Sequence, residues 1–169
     1  MIGLTIPVVA LSDQGEETSD RTLGRPCIKT GLSWTSVLDP IPNHPSINWT
    51  FGKIDTGADL VVIDRTFANL KEPMPAPVTT LPASTAAGPC LMPICRGILY
   101  VTNGFRCIAI EIDVAVGEVG SAYRMLLGRD LLRYTTFTYN RAYGIEKLSI
   151  DPPPPGILNG VDARPQMKL

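Results

Sequence analysis

"KIDTGADLVVI", residues 53 to 63, sets two carboxylates, Asp55 and Asp59, around a Thr-Gly pair and then runs into an apolar segment. Asp, Thr and Gly are ordinary turn residues, so the plainest reading is a strand entering a tight turn. The neighbours say more. Ile54 precedes the first Asp, and Ala58 and then Leu60 to Ile63 follow it, which puts Asp55 at the tip of a short loop held between buried strands. A second stretch, "YRMLLGRDLLRY" at 123 to 134, reads as an apolar strand that stops at Gly128 and passes directly into a short helix.

The chain around these stretches has 169 residues, 44% hydrophobic content and a formal net charge of -1. These values imply one soluble globular domain that buries roughly 70% of its unfolded surface. Near-neutral charge without a Lys/Arg block provides no electrostatic footprint for nucleic acid or an anionic membrane. No apolar run has the length of a membrane span, and the opening "MIGLTIPVVALSDQGEE" lacks the basic start of a secretory signal, so the expected compartment is the cytoplasm. Cys27, Cys90, Cys95 and Cys107 show no CxxC spacing and His44 is the single histidine, so buried free thiols are expected and no metal or other cofactor.

Sixteen Pro and 15 Gly punctuate segments rich in Val, Ile, Thr and Tyr, the mark of an all-β domain. Strands are expected at 4 to 11, 27 to 37, 47 to 54, 60 to 63, 90 to 102, 105 to 116, 123 to 127, 135 to 140 and 144 to 150. Asn103-Gly104 suits a two-residue hairpin turn. After it, Ile108, Ile110, Ile112 and Val114 alternate with Cys107, Ala109 and Glu111, so one face belongs to the core. One or two helical turns fit 64 to 70 and 129 to 134. Residues 1 to 150 are expected to form one domain, with its core from about 25 to 150, and the Pro-rich 151 to 169 a C-terminal tail.

"KIDTGADLVVI" followed by "MLLGRDLL", with Arg25-Pro26 at an early strand start, resembles the retroviral-type (retropepsin-like) aspartic proteases and their cellular and bacterial relatives. The resemblance spans about Arg25 to Ile150 and implies a closed, barrel-like all-β fold with a flap hairpin and one short C-terminal helix. A small free-standing bacterial or cellular member fits better than a piece of a viral polyprotein. The family's chemistry needs two carboxylates sharing one proton. One activates a water, and the protonated one donates to the scissile carbonyl. Asp55 is the only Asp followed by Thr-Gly or Ser-Gly, and the chain has no internal repeat, so the second carboxylate is expected from another copy in a C2 homodimer.

The resemblance also implies residue roles. Asp55 is the catalytic acid or base, Thr56 locks the paired loops across the two-fold axis, and Gly57 lets the backbones approach. Ala58 and Asp59 line the cleft for a peptide substrate, Asp59 being held by Arg129 of the same chain beside Gly128. Arg25 would pair with Asp59 of the partner subunit. The flap is expected between the motifs, with its tip at Ala86, Ala87 and Gly88. Lys53 and Val61 depart from the family pattern. Lys53 either reaches solvent or makes its pocket prefer an acidic group. The long 31 to 52 stretch is either a surface loop packed by Trp34 and Trp49 or an addition to the cleft rim. These roles imply an aspartic endopeptidase favouring apolar side chains beside the scissile bond. The alternative is a dimerisation or peptide-binding module on the same fold without efficient turnover.

Overall fold

Segments rich in β-branched residues form strands over most of the described chain, with the longest two, at 88 to 102 and 107 to 117, largely buried on both faces, and the helices among the described residues are single turns. The computed structural model describes residues 4–19, 24–85, 88–119, 123–140, 145–150 and 157–158. In chain order the elements are β1 (Leu4–Pro7), β2 (Val9–Leu11), β3 (Arg25–Ser33), β4 (Asn48–Ile54), β5 (Val62–Asp64), α1 (Arg65–Ala68), β6 (Thr79–Thr85) and β7 (Gly88–Thr102). Then follow β8 (Cys107–Gly117), β9 (Met125–Leu127), α2 (Arg129–Leu132), β10 (Thr135–Asn140), β11 (Ile145–Ile150) and β12 (Ile157–Leu158).

Six strands close into a barrel. β8 pairs with β5, β5 with β9, β9 with β4, β4 with β3, β3 with β7, and β7 returns to β8. Closure removes sheet edges from the ring. Ile28, Leu32, Ile54, Val61, Ile63, Leu99, Ile110, Ile112, Val114 and Leu127 are buried in one core cluster. Each such aliphatic side chain contributes roughly 1.5–3 kcal/mol by burial. A smaller antiparallel sheet, β1-β11-β10, adds Leu4, Ile6, Leu148 and Ile150 to the same core. The all-β barrel, its hairpin and its one-turn helix after β9 are the fold class expected from the sequence.

Several details differ from the sequence expectation, each for a local reason. The 4 to 11 strand is two strands, because the chain changes partner from β11 to β3 after Pro7, which has no N–H to donate. β3 stops at Ser33, whose hydroxyl donates to Thr35 O, while Trp34 turns aside to donate its indole N–H to Ala68 O at 2.7 Å. Asn103-Gly104 opens a four-residue loop between Thr102 and Cys107. Only Gly104 takes a positive φ there, and the Asn103 carboxamide oxygen accepts the N–H groups of Phe105 and Arg106. β6 was not among the expected strand segments, although a flap hairpin with its tip at 86 to 88 needs an arm there, and β12, which was not expected, pairs Ile157 and Leu158 with Ile110 and Ala109 of β8.

The loop from Trp34 to Ile47 joins the ends of β3 and β4 remote from Asp55, since Leu32 pairs with Asn48 there and Cys27 pairs with Lys53 at the other end. Trp49 donates to His44 O, and the Tyr100 hydroxyl meets Ser33 Oγ and Val37 N. Of the alternatives, the packed surface loop is therefore the one realised. The four cysteines are free, three of them at least half-buried, but Cys90 is exposed on the β6–β7 hairpin.

Candidate active site

β4 and β9 run parallel through the barrel, with Ile54 opposite Leu127, so both end at the same level. Asp55 and Gly128 are the next residues, and the two loops are fastened at every step. Asp55 N donates to Leu127 O at 3.1 Å, Arg129 N to Ala58 O at 2.9 Å, and Asp130 N to Asp59 O at 3.1 Å. Gly128 is required by space. A Cβ at this position would lie 2.2 Å from Leu60 O, a backbone atom that cannot swing away.

Asp130 completes the clamp. Its Oδ2 accepts Val61 N–H at 3.0 Å, and its Oδ1 accepts Leu131 N–H at 2.7 Å. The residue is only 6% exposed, and burial pushes its carboxyl up to about 6 against the pull of those two N–H groups. Asp64, which caps α1, goes the other way. Burial raises its carboxyl, but hydrogen bonds from the Thr66 hydroxyl and from backbone N–H groups including Phe67 together hold it below the ordinary carboxylate value.

Asp55 itself sits at the open end of the barrel with its side chain 26% exposed. Gly57 N–H donates to Oδ1 at 3.0 Å, which turns the carboxylate over its own loop. The other oxygen, Oδ2, stands 3.4 Å from Lys53 Nζ. Lys53 lies two residues upstream, near the end of β4, and its ammonium is 5.5 Å from the centre of the Tyr123 ring. Opposite Lys53, the Cys27 thiol is pushed up to about 12 by burial, with Lys53 opposing, so it stays protonated and is no nucleophile.

Thr56 and Gly57 are exposed, and Ala58 is half-buried. Arg129 Nη2 forms an ion pair with Asp59 Oδ1, both side chains being well exposed. Arg25 is exposed at the start of β3, where its Nε lies 3.6 Å from Asp13 of the same chain. β6 and β7 form the hairpin between the two motifs, closing at Thr85 and Gly88. Its base packs Leu81, Ala83, Met92 and Ile94 with Leu60 and Val62, the residues that leave the Asp55 loop. Gly88 has φ +112° and open space around it, while Ala86 and Ala87 lie outside the described residues.

Sequence reasoning did not single out Asp130 or Tyr123. A carboxylate set inside "LLGRDLL" is the signal that would have found the first, since a charge among leucines needs fixed donors. Nothing in the sequence points to Tyr123. Among the described residues, no three His, Cys, Asp or Glu side chains converge as metal ligands, and no helix is long and apolar enough to cross a membrane.

No protein-family model matches the chain, and no curated protein is similar to it in sequence. Among solved structures, it is similar to the solution structure of the Simian Foamy Virus (mac) protease, at 13% identity and a TM-score of 0.41, over 64% of this chain and 92% of the viral one.

Proposed function

We propose that this chain is an aspartic endopeptidase that works as a C2 homodimer, with one Asp55 from each subunit meeting on the two-fold axis. The observation that carries the reading is the clamped loop. Asp55 emerges from a barrel strand, its carboxylate is oriented by Gly57 N–H, and the Leu127–Asp130 segment fixes the loop by three backbone hydrogen bonds. Such fixation keeps a carboxylate in reactive geometry without reorganisation.

In the dimer, two carboxylates at hydrogen-bonding distance share one proton, because like charges so close cannot both ionise cheaply. The ionised Asp55 takes a proton from a bound water, whose oxygen forms a bond to the scissile carbonyl carbon. The protonated Asp55 donates to the carbonyl oxygen. Collapse of this tetrahedral species breaks the C–N bond as the amine leaves with a proton from one Asp55, while a hydroxyl of the same species returns a proton to the other and restores the singly protonated pair. Thr56 and Gly57 allow the paired loops to approach, and Asp59, held by Arg129, meets the substrate backbone. Arg25 of each subunit turns from Asp13 to the partner's Asp59. The hairpin from β6 and β7 lies along an extended peptide, with Ala86, Ala87 and Gly88 presenting backbone groups and Leu81, Ala83 and Met92 an apolar wall.

The test is cleavage of a mixed peptide library by the wild type and by Asp55→Asn at equal dimer mass. Cleavage by the wild type alone is expected, and retained cleavage by the variant refutes the reading. One observation favours the second reading, a peptide-binding module without turnover. The Lys53 ammonium against Asp55 Oδ2 occupies an oxygen that the water needs. Peptide binding with no products over long incubation would establish that reading instead.

A further inference from the structure

Lys53 is the one cation set against the candidate catalytic carboxylate among the described residues, and its surroundings make it a substrate contact. Its side chain is 25% exposed, so the ammonium keeps access to the open end of the barrel. It makes one hydrogen bond, to Asp55 Oδ2 at 3.4 Å, which is long for a charge-assisted bond. Two of its three protons remain available to a further acceptor. The Tyr123 ring, 5.5 Å away, supplies an apolar face beside the charge. A scissile carbon positioned over Asp55 therefore brings a flanking side chain into a subsite with an ammonium at one end and an aromatic face along it.

We propose that Lys53 and Tyr123 form a charge-selective subsite, and that the enzyme prefers a glutamate or aspartate next to the scissile bond. This rests on the protease reading above. The charge balance supports it. Of the groups beside the scissile bond, a dimer holds two Lys53 ammoniums, and a dyad sharing one proton holds one negative charge, so these groups together carry one net positive charge. A carboxylate on the substrate supplies the missing charge, with its methylene stem lying on Tyr123. An apolar side chain placed there would instead desolvate an ammonium held by one long bond to Asp55. The balance calls for a single acidic residue, on one side of the bond or the other. Two acidic residues flanking the bond would overcompensate.

The experiment compares otherwise identical peptides carrying Glu, Gln or Leu on each side of the cleaved bond. It reads kcat/KM together with binding of their non-cleavable reduced-amide forms by fluorescence anisotropy. For the wild type, Glu is expected to exceed Gln by about tenfold in both readouts, the size of discrimination that one desolvated charge pair provides. Lys53→Met is expected to bring the Glu/Gln ratio to about one or below, and Lys53→Arg to restore it. Cleavage without charge preference, or a preference that survives Lys53→Met in a folded dimer that cleaves, overturns the proposal and leaves the protease reading standing; binding without cleavage overturns the protease reading itself. If the wild type neither cleaves nor binds any of the peptides, both fall.

Discussion

Replacing Asp130 with Asn tests the clamp that holds the two site loops together. The Asp130 carboxyl is raised to about 6 by burial, against about 3.9 in an unfolded chain. A carboxyl that holds its proton more tightly when folded takes one up on folding between those values. Stability is therefore full below about pH 4, falls as pH rises through about 6, and is flat beyond. The difference of about two units corresponds to on the order of 2–3 kcal/mol lost above the upper value. An Asn is a neutral stand-in for the protonated acid. It keeps one oxygen for Val61 N–H or Leu131 N–H, but its NH2 cannot accept the other, as the hydroxyl oxygen of the protonated acid still can.

The variant should then be less stable than the wild type near the lower value, by about 1–2 kcal/mol for the one N–H left without an acceptor. The variant should gain progressively, by on the order of 2 kcal/mol, above the upper one. Urea unfolding followed by the fluorescence of Trp34 and Trp49 across this pH range, at fixed protein concentration, measures the difference. A variant destabilised equally at all pH values would refute the reasoning. It would mean that the ionised carboxylate, with its two N–H donors, is a net stabiliser and that burial does not dominate.

Gly128→Ala should cost about 3 kcal/mol or more, since its Cβ meets the Leu60 backbone, and a thermal midpoint close to the wild type would contradict the packing. Arg129→Met removes an exposed ion pair worth under ~1 kcal/mol of stability. Its cleavage rate should nevertheless drop by about tenfold or more as Asp59 loses its anchor. Steady-state kinetics beside a melting curve separates the two effects. Gly88→Val forces a β-branched residue to φ +112° in open space, so turnover should fall much more than stability. Equal losses would make the hairpin tip a merely structural turn.

The all-β class was legible from the period-two pattern over Ile108 to Val114 and the frequent Gly and Pro breaks, whereas the closed barrel was expected only through the resemblance carried by "KIDTGADLVVI" and "MLLGRDLL". β6 escaped because "TTLPAST" is weakly apolar and carries Pro82, which only an edge strand tolerates, and β6 is indeed the edge partner of β7. β12 escaped because two residues after a polyproline run carry no periodicity. The Asp55 and Gly128 loops were visible as motifs, but their mutual fastening was not. It depends on backbone groups brought together by the parallel β4–β9 register, which has no signature in either stretch alone. Lys53 was visible as an anomaly, although only the folded chain shows its ammonium on Asp55 Oδ2 with Tyr123 beside it.

Mixing wild-type chains with an excess of Asp55→Asn chains under exchanging conditions measures the shared site directly. If each catalytic pair draws one carboxylate from each chain, the variant captures wild-type protomers in dead dimers, and peptide cleavage per wild-type chain falls steeply as the variant is added. At equal amounts, random pairing leaves about a quarter of the dimers fully wild type. Cleavage that stays proportional to the wild-type chain, whatever the excess of variant, would mean that each chain carries its own complete site.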